Sequence, residues 1–233
     1  GRNHNSSKTA LQRLHSIYEF DISMVAQKLI LSSLFLLLSS FLSAKEFNFK
    51  VLLNDKDIGH HRFSVEDQTV KSDAAFDVKL WIIPAYKYRH KATETNLNGC
   101  LTSLQSETQD GADNFALKTI EATPNFKILV NQKEITHASC MQTFRYLDIN
   151  FTQQKTAINP QDGKLFTLNF THDGTEPINS LGKSIRANKY TLKALGDQDE
   201  KFHIELWYHP ETQAWLQLKS YVKDDNVLTY VLQ

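Results

Sequence analysis

Most of the chain from residue 45 onward alternates hydrophobic and polar positions with a period of two. In the first such stretch, Phe47, Phe49 and Val51 share one face, while Asn48 and Lys50 share the other. This alternation is typical of a β-strand with one buried face. Similar stretches recur along the chain, separated by turn-forming clusters rich in Asn, Asp and Gly. The pattern therefore predicts an all-β fold.

We expect residues 45–233 to form a single β-rich domain. The predicted architecture is one strongly curved antiparallel sheet, or an open half-barrel, of about ten strands with at most short helices. A β-sandwich is the alternative. Residues 137–148 do not alternate, which indicates a short helical turn or an irregular crossing. The last strands carry bulk on both faces, so either something covers both faces or one face lines a cavity.

A signal peptide is predicted at residues 24–44. Lys28 precedes an apolar run, and the small residues Ser43 and Ala44 close the segment. The run is shorter than the roughly 20 residues of a membrane-spanning helix. We therefore expect cleavage after Ala44 and a periplasmic or secreted protein without a permanent membrane span; an uncleaved anchor is the alternative. Residues 1–23 show no pattern and are expected to be an upstream extension outside the native protein.

The charge balance limits the partners. The chain has 26 basic and 26 acidic residues, so its formal net charge is zero. Nucleic-acid binding and attachment to an anionic membrane both need a positively charged surface. No nucleic-acid partner is therefore predicted.

The chain contains two cysteines, Cys100 and Cys140. In an exported protein this pair permits a single disulfide, and two separate buried thiols are the alternative. Because the C-x-x-C spacing is missing, we do not expect a catalytic dithiol.

Several short motifs occur in an order that is similar to one known family. They are Ile-Gly-His-His-Arg-Phe at 58–63, Tyr-Lys-Tyr-Arg-His at 86–90, Asn-Gly-Cys-Leu at 98–101, Cys-Met-Gln-Thr-Phe-Arg-Tyr at 140–146, Ile-Asn-Pro-Gln-Asp-Gly at 158–163, Leu-Trp-Tyr at 206–208 and Trp-Leu at 215–216. In this order the chain resembles DUF6134, a bacterial family of exported proteins of unknown function. The resemblance spans nearly all of residues 45–233. It implies the β-fold and both cysteines, but no activity.

The chain departs from the family pattern at two places. Asn96-Leu97 stands where the family usually shows an aromatic residue, and Tyr146-Leu147-Asp148 stands where it tends to show Tyr-Trp-Asn. We therefore carry no aromatic role over to these positions from the family.

Four side chains form the predicted ligand-lining set: Tyr86, Tyr88, His90 and Glu94. They share one face of a predicted strand, with the tyrosines expected to point inward. In this interpretation His90 and Glu94 form the polar end of an apolar cavity, where a histidine would exchange protons near neutral pH. The alternative, which we favour, is a buried polar cluster whose hydrogen bonds are satisfied.

No catalytic residue, cofactor or metal site is predicted. The neighbours His60 and His61 point to opposite faces of a strand, and clusters with zinc-ligand spacing are missing. Nucleophile motifs and a phosphate-binding loop are missing as well. His203 and His209 share a face with Glu205 and Trp207, and we expect this face to be solvated.

We expect a non-enzymatic exported protein that binds a lipid or other apolar small molecule in its curved sheet. The two-faced strands and the 14 Phe, 8 Tyr and 3 Trp residues favour this function. The alternative is a structural or assembly factor of the cell envelope that acts through an interface with another envelope protein. An enzyme that uses His90 and Glu94 is the least favoured hypothesis.

Overall fold

The structure, a computed structural model, describes residues 44–80, 83–222 and 225–233. The predicted upstream extension and the predicted signal peptide as far as residue 43 lie outside these ranges. Ala44–Gln233 form one compact unit. Within the described ranges, none of the helices has both the length and the apolar character needed to cross a membrane.

Alternating sequence produces strands throughout this unit. The strands are β1 (Lys45–Leu53), β2 (Lys56–Glu66), β3 (Thr69–Leu80), β4 (Ile83–Leu97), β5 (Cys100–Asp110), β6 (Asp113–Glu121), β7 (Phe126–Val130), β8 (Lys133–His137), β9 (Thr156–Ile158), β10 (Leu165–Ser180), β11 (Lys183–Gly196), β12 (Lys201–Tyr208), β13 (Trp215–Tyr221) and β14 (Val227–Leu232). A 3₁₀ helix spans Ile149–Gln153.

All strands belong to one antiparallel sheet, which confirms the all-β prediction. The order is β8-β7-β6-β5-β4-β3-β2-β1-β14-β13-β12-β11-β10-β9. Two meanders are therefore joined where β1 pairs with β14, with Phe49 opposite Leu232. Among the described residues the end strands β8 and β9 do not pair with each other, so the sheet is open. A single sheet replaces the two sheets of the alternative sandwich.

Across the described ranges the sheet has fourteen strands, not the predicted ten or so. β7 and β8 have 5 residues each and β9 has 3, which is too short for a clear period of two. In addition, β10 continues through Gly174 and Pro177, residue types that normally indicate a break. The chain tolerates Pro177 because β9 pairs with β10 only at residues 165–167, so Pro177 lies on an edge.

The inner face of the sheet carries the main core. One row across six paired strands consists of Leu232, Phe49, His61, Ala74, His90 and Thr108. Phe49 and Trp215 are each 1% exposed, and their ring centroids lie 4.0 Å apart. The predicted inward face of β1 is thereby confirmed, since Phe47 and Val51 are also buried.

An irregular segment, residues 138–148, connects β8 to the 3₁₀ helix, and we call it the crossing segment. The N–H of Leu101 in β5 donates to the Met141 carbonyl at 2.8 Å. The N–H of Ile158 in β9 donates to the Gln142 carbonyl, also at 2.8 Å. The segment therefore bridges β5 and β9, strands that are far apart in the sheet order. The predicted irregular crossing is confirmed.

The predicted disulfide between Cys100 and Cys140 is present, with the two Cα atoms 4.5 Å apart. It ties the beginning of the crossing segment to the first residue of β5. The alternative of two separate thiols is thereby wrong.

The hairpin of β10 and β11 explains why the last strands are bulky on both faces. Trp207, expected on a solvated surface, is 2% exposed, so that expectation was wrong. Its indole N–H donates to Oε1 of Glu176 at 2.9 Å, and the ammonium of Lys189 lies 5.2 Å from the ring centroid. At the tip of the hairpin, the N–H of Leu181 donates to the Leu232 carbonyl. The hairpin therefore covers the second face.

Candidate functional site

Several aromatic side chains on the inner face are only half-buried. They are His61, Phe63, Tyr146 and Tyr230, and together we call them the interior aromatic surface. His61 and Phe63 stack with ring centroids 4.1 Å apart, and His61 lies 5.8 Å from Tyr230. Trp215 lies beneath this surface, 5.4 Å from Tyr146 and 6.1 Å from Tyr230. His61 therefore contacts both Phe63 and Tyr230, and the buried Trp215 connects Tyr146 to them.

Strand register explains why these side chains meet. His61 lies opposite Phe49 of β1, and Phe63 lies opposite Ser72 of β3. Tyr230 lies opposite Val51, one row along the sheet. Paired residues of neighbouring strands point to the same face, so the buried Phe49 and Val51 fix the inward direction of the whole group.

Tyr146 comes from the crossing segment, which has an internal alternation of its own. Phe144 and Tyr146 point towards the second meander, with Phe144 5.5 Å from Phe166 and Tyr146 5.4 Å from Trp215. Thr143, between them and Cys140, points to β4 instead and donates its hydroxyl to Glu94 Oε2 at 2.5 Å. The segment thus contributes side chains to both halves of the interior.

Two of the four predicted ligand-lining residues lie beside the interior aromatic surface. Tyr88 and His90 are 5% and 3% exposed. The ring of His90 lies 6.4 Å from that of His61, and Tyr88 stacks on Phe76 at 4.9 Å. Both therefore form the wall behind the half-buried rings.

The other two predicted residues lie at opposite ends of the same strand face. Tyr86 is 39% exposed, and its hydroxyl donates to Asp110 Oδ1 at 2.5 Å. Glu94 accepts the Thr143 bond, whereas His90 Nδ1 lies 2.9 Å from Thr108 Oγ1. His90 and Glu94 therefore have different hydrogen-bond partners.

His61 is the most unusual group in the interior. Both ring nitrogens are buried without a hydrogen-bond partner among the described residues. Burial holds the pKa of His61 well below its usual value, and the neighbouring His90 lowers it further. The ring is therefore neutral at neutral pH, with one donor and one acceptor unused. An unpaired buried polar group is costly, so His61 suits a ligand with a polar atom.

The nearby tyrosines are hydrogen-bond donors. Burial raises the pKa of Tyr88, Tyr146 and Tyr230, so all three stay protonated. The hydroxyls of Tyr146 and Tyr230 form no hydrogen bond with another described residue. The surface therefore combines apolar rings with a few polar groups, as small-molecule sites do.

Polar side chains lie where the crossing segment contacts β4. Glu94 accepts from Thr143 and is influenced by the charge of Arg145, and Asn96 lies two residues further along β4. We call these four residues the polar end. Burial raises the pKa of Glu94, against the Thr143 hydrogen bond and the Arg145 charge, which lower it. Asn96 is 6% exposed, and neither its amide nitrogen nor its amide oxygen has a partner among the described residues.

The sequence did not point to most of these residues. Phe63 and His61 follow the period of two in β2, which could have placed them on the inner face. Tyr146 and Arg145 lie in a segment without periodicity, so only the folded chain brings them to the interior.

Two grooves lie along β1–β5, of about 490 and 770 Å³. The first is lined by the inward-facing Phe63 and Ser72 as well as by the outward-facing Arg62 and Thr93. Their charged side chains are of both signs and partly paired: Lys91 lies 3.8 Å from Asp73, and Lys50 lies 3.3 Å from Asp57. The described residues contain no group of three or more His, Cys, Asp or Glu side chains suited to a metal ion.

Comparisons with known proteins agree with this architecture. A family model described as "Domain of unknown function (DUF6134)" matches residues 49–233. The crystal structure of a beta-barrel-like protein of domain of unknown function DUF1849 from Brucella abortus is similar with a TM-score of 0.55 and 10% identity, over 82% of this chain and 96% of that chain. At this identity the likeness concerns the fold alone. No curated protein matches the chain.

Proposed function

The chain belongs to the DUF6134 family, and we propose that it is an exported, non-enzymatic protein that binds a lipid or other apolar small molecule on the interior aromatic surface. The observation that carries the proposal is the contrast in burial across one inner face. Phe49 and Trp215 are each 1% exposed, whereas Phe63 and Tyr230, in ring contact with them, are half-buried. Apolar surface left accessible inside a folded domain favours an apolar ligand.

The polar groups support a binding role. Tyr230 and Tyr146 offer hydroxyl donors, and His61 offers a neutral ring with free donor and acceptor. The His90–Thr108 and Glu94–Thr143 bonds give each predicted acid–base candidate a separate partner. This arrangement favours binding over proton transfer between the two.

The disulfide supports export. Disulfides persist in oxidising compartments and are rare in the cytosol. The bond between Cys100 and Cys140 therefore agrees with the signal peptide expected at residues 24–44.

A neutral fluorescent probe, N-phenyl-1-naphthylamine, tests the proposal directly. We expect saturable, one-to-one binding with a blue-shifted emission. Ser72→Trp places a bulky ring opposite Phe63 on the inner face and should weaken binding at least tenfold. Thr167→Trp, exposed between the buried Phe166 and Leu168 of β10, is the matched control and should leave the affinity unchanged. If Ser72→Trp has a normal melting curve and binds the probe as tightly as the wild type, the proposed location is wrong.

The interface alternative has one structural feature in its favour. Among the described residues, the outer edge of β8 has no strand partner. However, Lys133 and Glu134 are exposed on this strand, and charged side chains on an edge discourage pairing with another chain. The interior therefore remains the better supported site.

A further inference from the structure

We infer that the ligand is an amphiphile with one anionic headgroup, which Arg145 and Asn96 hold at the polar end while the apolar chain lies on the interior aromatic surface. This inference rests on the proposed function and adds the chemical class of the ligand. The crossing segment joins the polar end to the aromatic rings. Arg145 acts on Glu94 of β4, and the next residue, Tyr146, packs on Trp215, which contacts Phe63 and Tyr230.

Arg145 carries a charge that the described part of the chain leaves without a close partner. Its Nε is buried and has no hydrogen-bond partner, and no carboxylate among the described residues lies within the 4.0 Å of an ion pair. Its charge acts on Glu94, whose carboxyl pKa it lowers. A guanidinium with unused donors is the side chain best suited to a carboxylate or phosphate.

Glu94 does not cancel this preference. Its Oε2 already accepts the short hydrogen bond from Thr143. Burial is the largest influence on the Glu94 carboxyl and raises its pKa. One Glu94 oxygen is occupied, whereas the buried Nε of Arg145 has no partner, so the polar end offers an unused donor to an anion.

Asn96 provides an independent second observation. It lies two residues beyond Glu94 on β4, with its backbone paired to Leu101 of β5. Its side chain is more than nine-tenths buried with both amide atoms unpaired. The amide N–H groups would complement the guanidinium around a headgroup oxygen.

The apolar part of the ligand has a defined place. Thr143 points to β4, whereas Phe144 and Tyr146 contact the rings of the second meander. A headgroup beside Arg145 would therefore leave a chain at the boundary where Phe63 and Tyr230 remain half-buried. This combination of one charged anchor and an apolar track is the pattern expected for a single-chain amphiphile.

The test is displacement of N-phenyl-1-naphthylamine from the full chain by four amphiphiles with the same twelve-carbon tail, below their micellar concentrations. We expect dodecanoate or dodecyl phosphate to displace the probe at about tenfold lower concentration, or less, than dodecanol and dodecyltrimethylammonium. A preference for dodecanoate would indicate fatty acids, and a preference for dodecyl phosphate would indicate lipid phosphate headgroups; both support the inference.

Variants locate the selectivity. Arg145→Met should remove the preference for anions, and Arg145→Lys should keep most of it. Arg186→Met, at an exposed position of β11, is the matched control. Because Arg145→Met could impair folding, selectivity of the wild type decides independently. Equal displacement by all four amphiphiles would overturn the inference but leave the proposed function standing. If the probe itself fails to bind, the proposed function fails and the inference falls with it.

Discussion

Removal of the disulfide provides a quantitative test of how the crossing segment is held. Cys100 and Cys140 are separated by 40 residues along the chain. For a closed loop of this length, the chain-entropy relation gives a stabilisation of about 4 kcal/mol at 25 °C. For a domain of this size, such a loss lowers the melting temperature by about 8–16 °C.

The assay compares the oxidised parent with the double variant Cys100→Ser/Cys140→Ser by thermal and urea unfolding. The variant should melt lower under oxidising conditions, whereas the parent with excess reductant should approach the variant. The native contacts of Leu101 with Met141 should survive, so the far-ultraviolet circular dichroism of the folded state should not change. Equal melting temperatures of variant and oxidised parent would refute the reasoning.

Three further predictions concern stability. Burial lowers the pKa of His90 in the folded state to about 4. The free energy of unfolding should therefore be highest above the unfolded-state pKa of about 6.5 and fall by about 3 kcal/mol as the pH drops towards 4. Urea unfolding of His90→Gln should lack this part of the decline. Gly59→Ala would place a Cβ 1.9 Å from a backbone oxygen of β3 and should lower the free energy of unfolding by about 3 kcal/mol or more. The control Gly182→Ala, whose Cβ would have no atom within 4 Å, should cost only about 1–2 kcal/mol of backbone strain. Equal urea midpoints of the two variants would contradict the predicted clash. Thr143→Val removes the hydroxyl that donates a hydrogen bond to Glu94 and should lower the free energy of unfolding by about 1.5–3 kcal/mol. A double-mutant cycle with Glu94→Gln that shows no coupling energy would contradict a stabilising role for this hydrogen bond.

The strands could be predicted from the sequence because their period of two reflects one buried face. Phe47, Phe49 and Val51 are all buried as the alternation indicates. Tyr88 and His90 follow the same rule on β4. The all-β class and a single antiparallel sheet therefore followed from local pattern, and the two cysteines permitted the observed pairing.

Long-range contacts explain what the sequence could not predict. The alternation within β12 predicts that Trp207 is exposed. Trp207 is buried because the hairpin of β10 and β11, which carries Glu176 31 residues away, folds over it. Arg145 and Tyr146 lie in a segment whose direction is set by bonds to β4, β5 and β9. Such placements depend on pairs that no local period encodes.

A ligand in the interior of the domain can be detected directly by mass. We would purify the full chain from bacterial cells without detergent or organic solvent, record its native mass, and then extract the sample for lipid analysis. We expect one apolar molecule per chain, lost on denaturation and recovered in the extract as an anionic amphiphile. A native mass equal to that of the oxidised chain alone, with no extractable lipid, would contradict it.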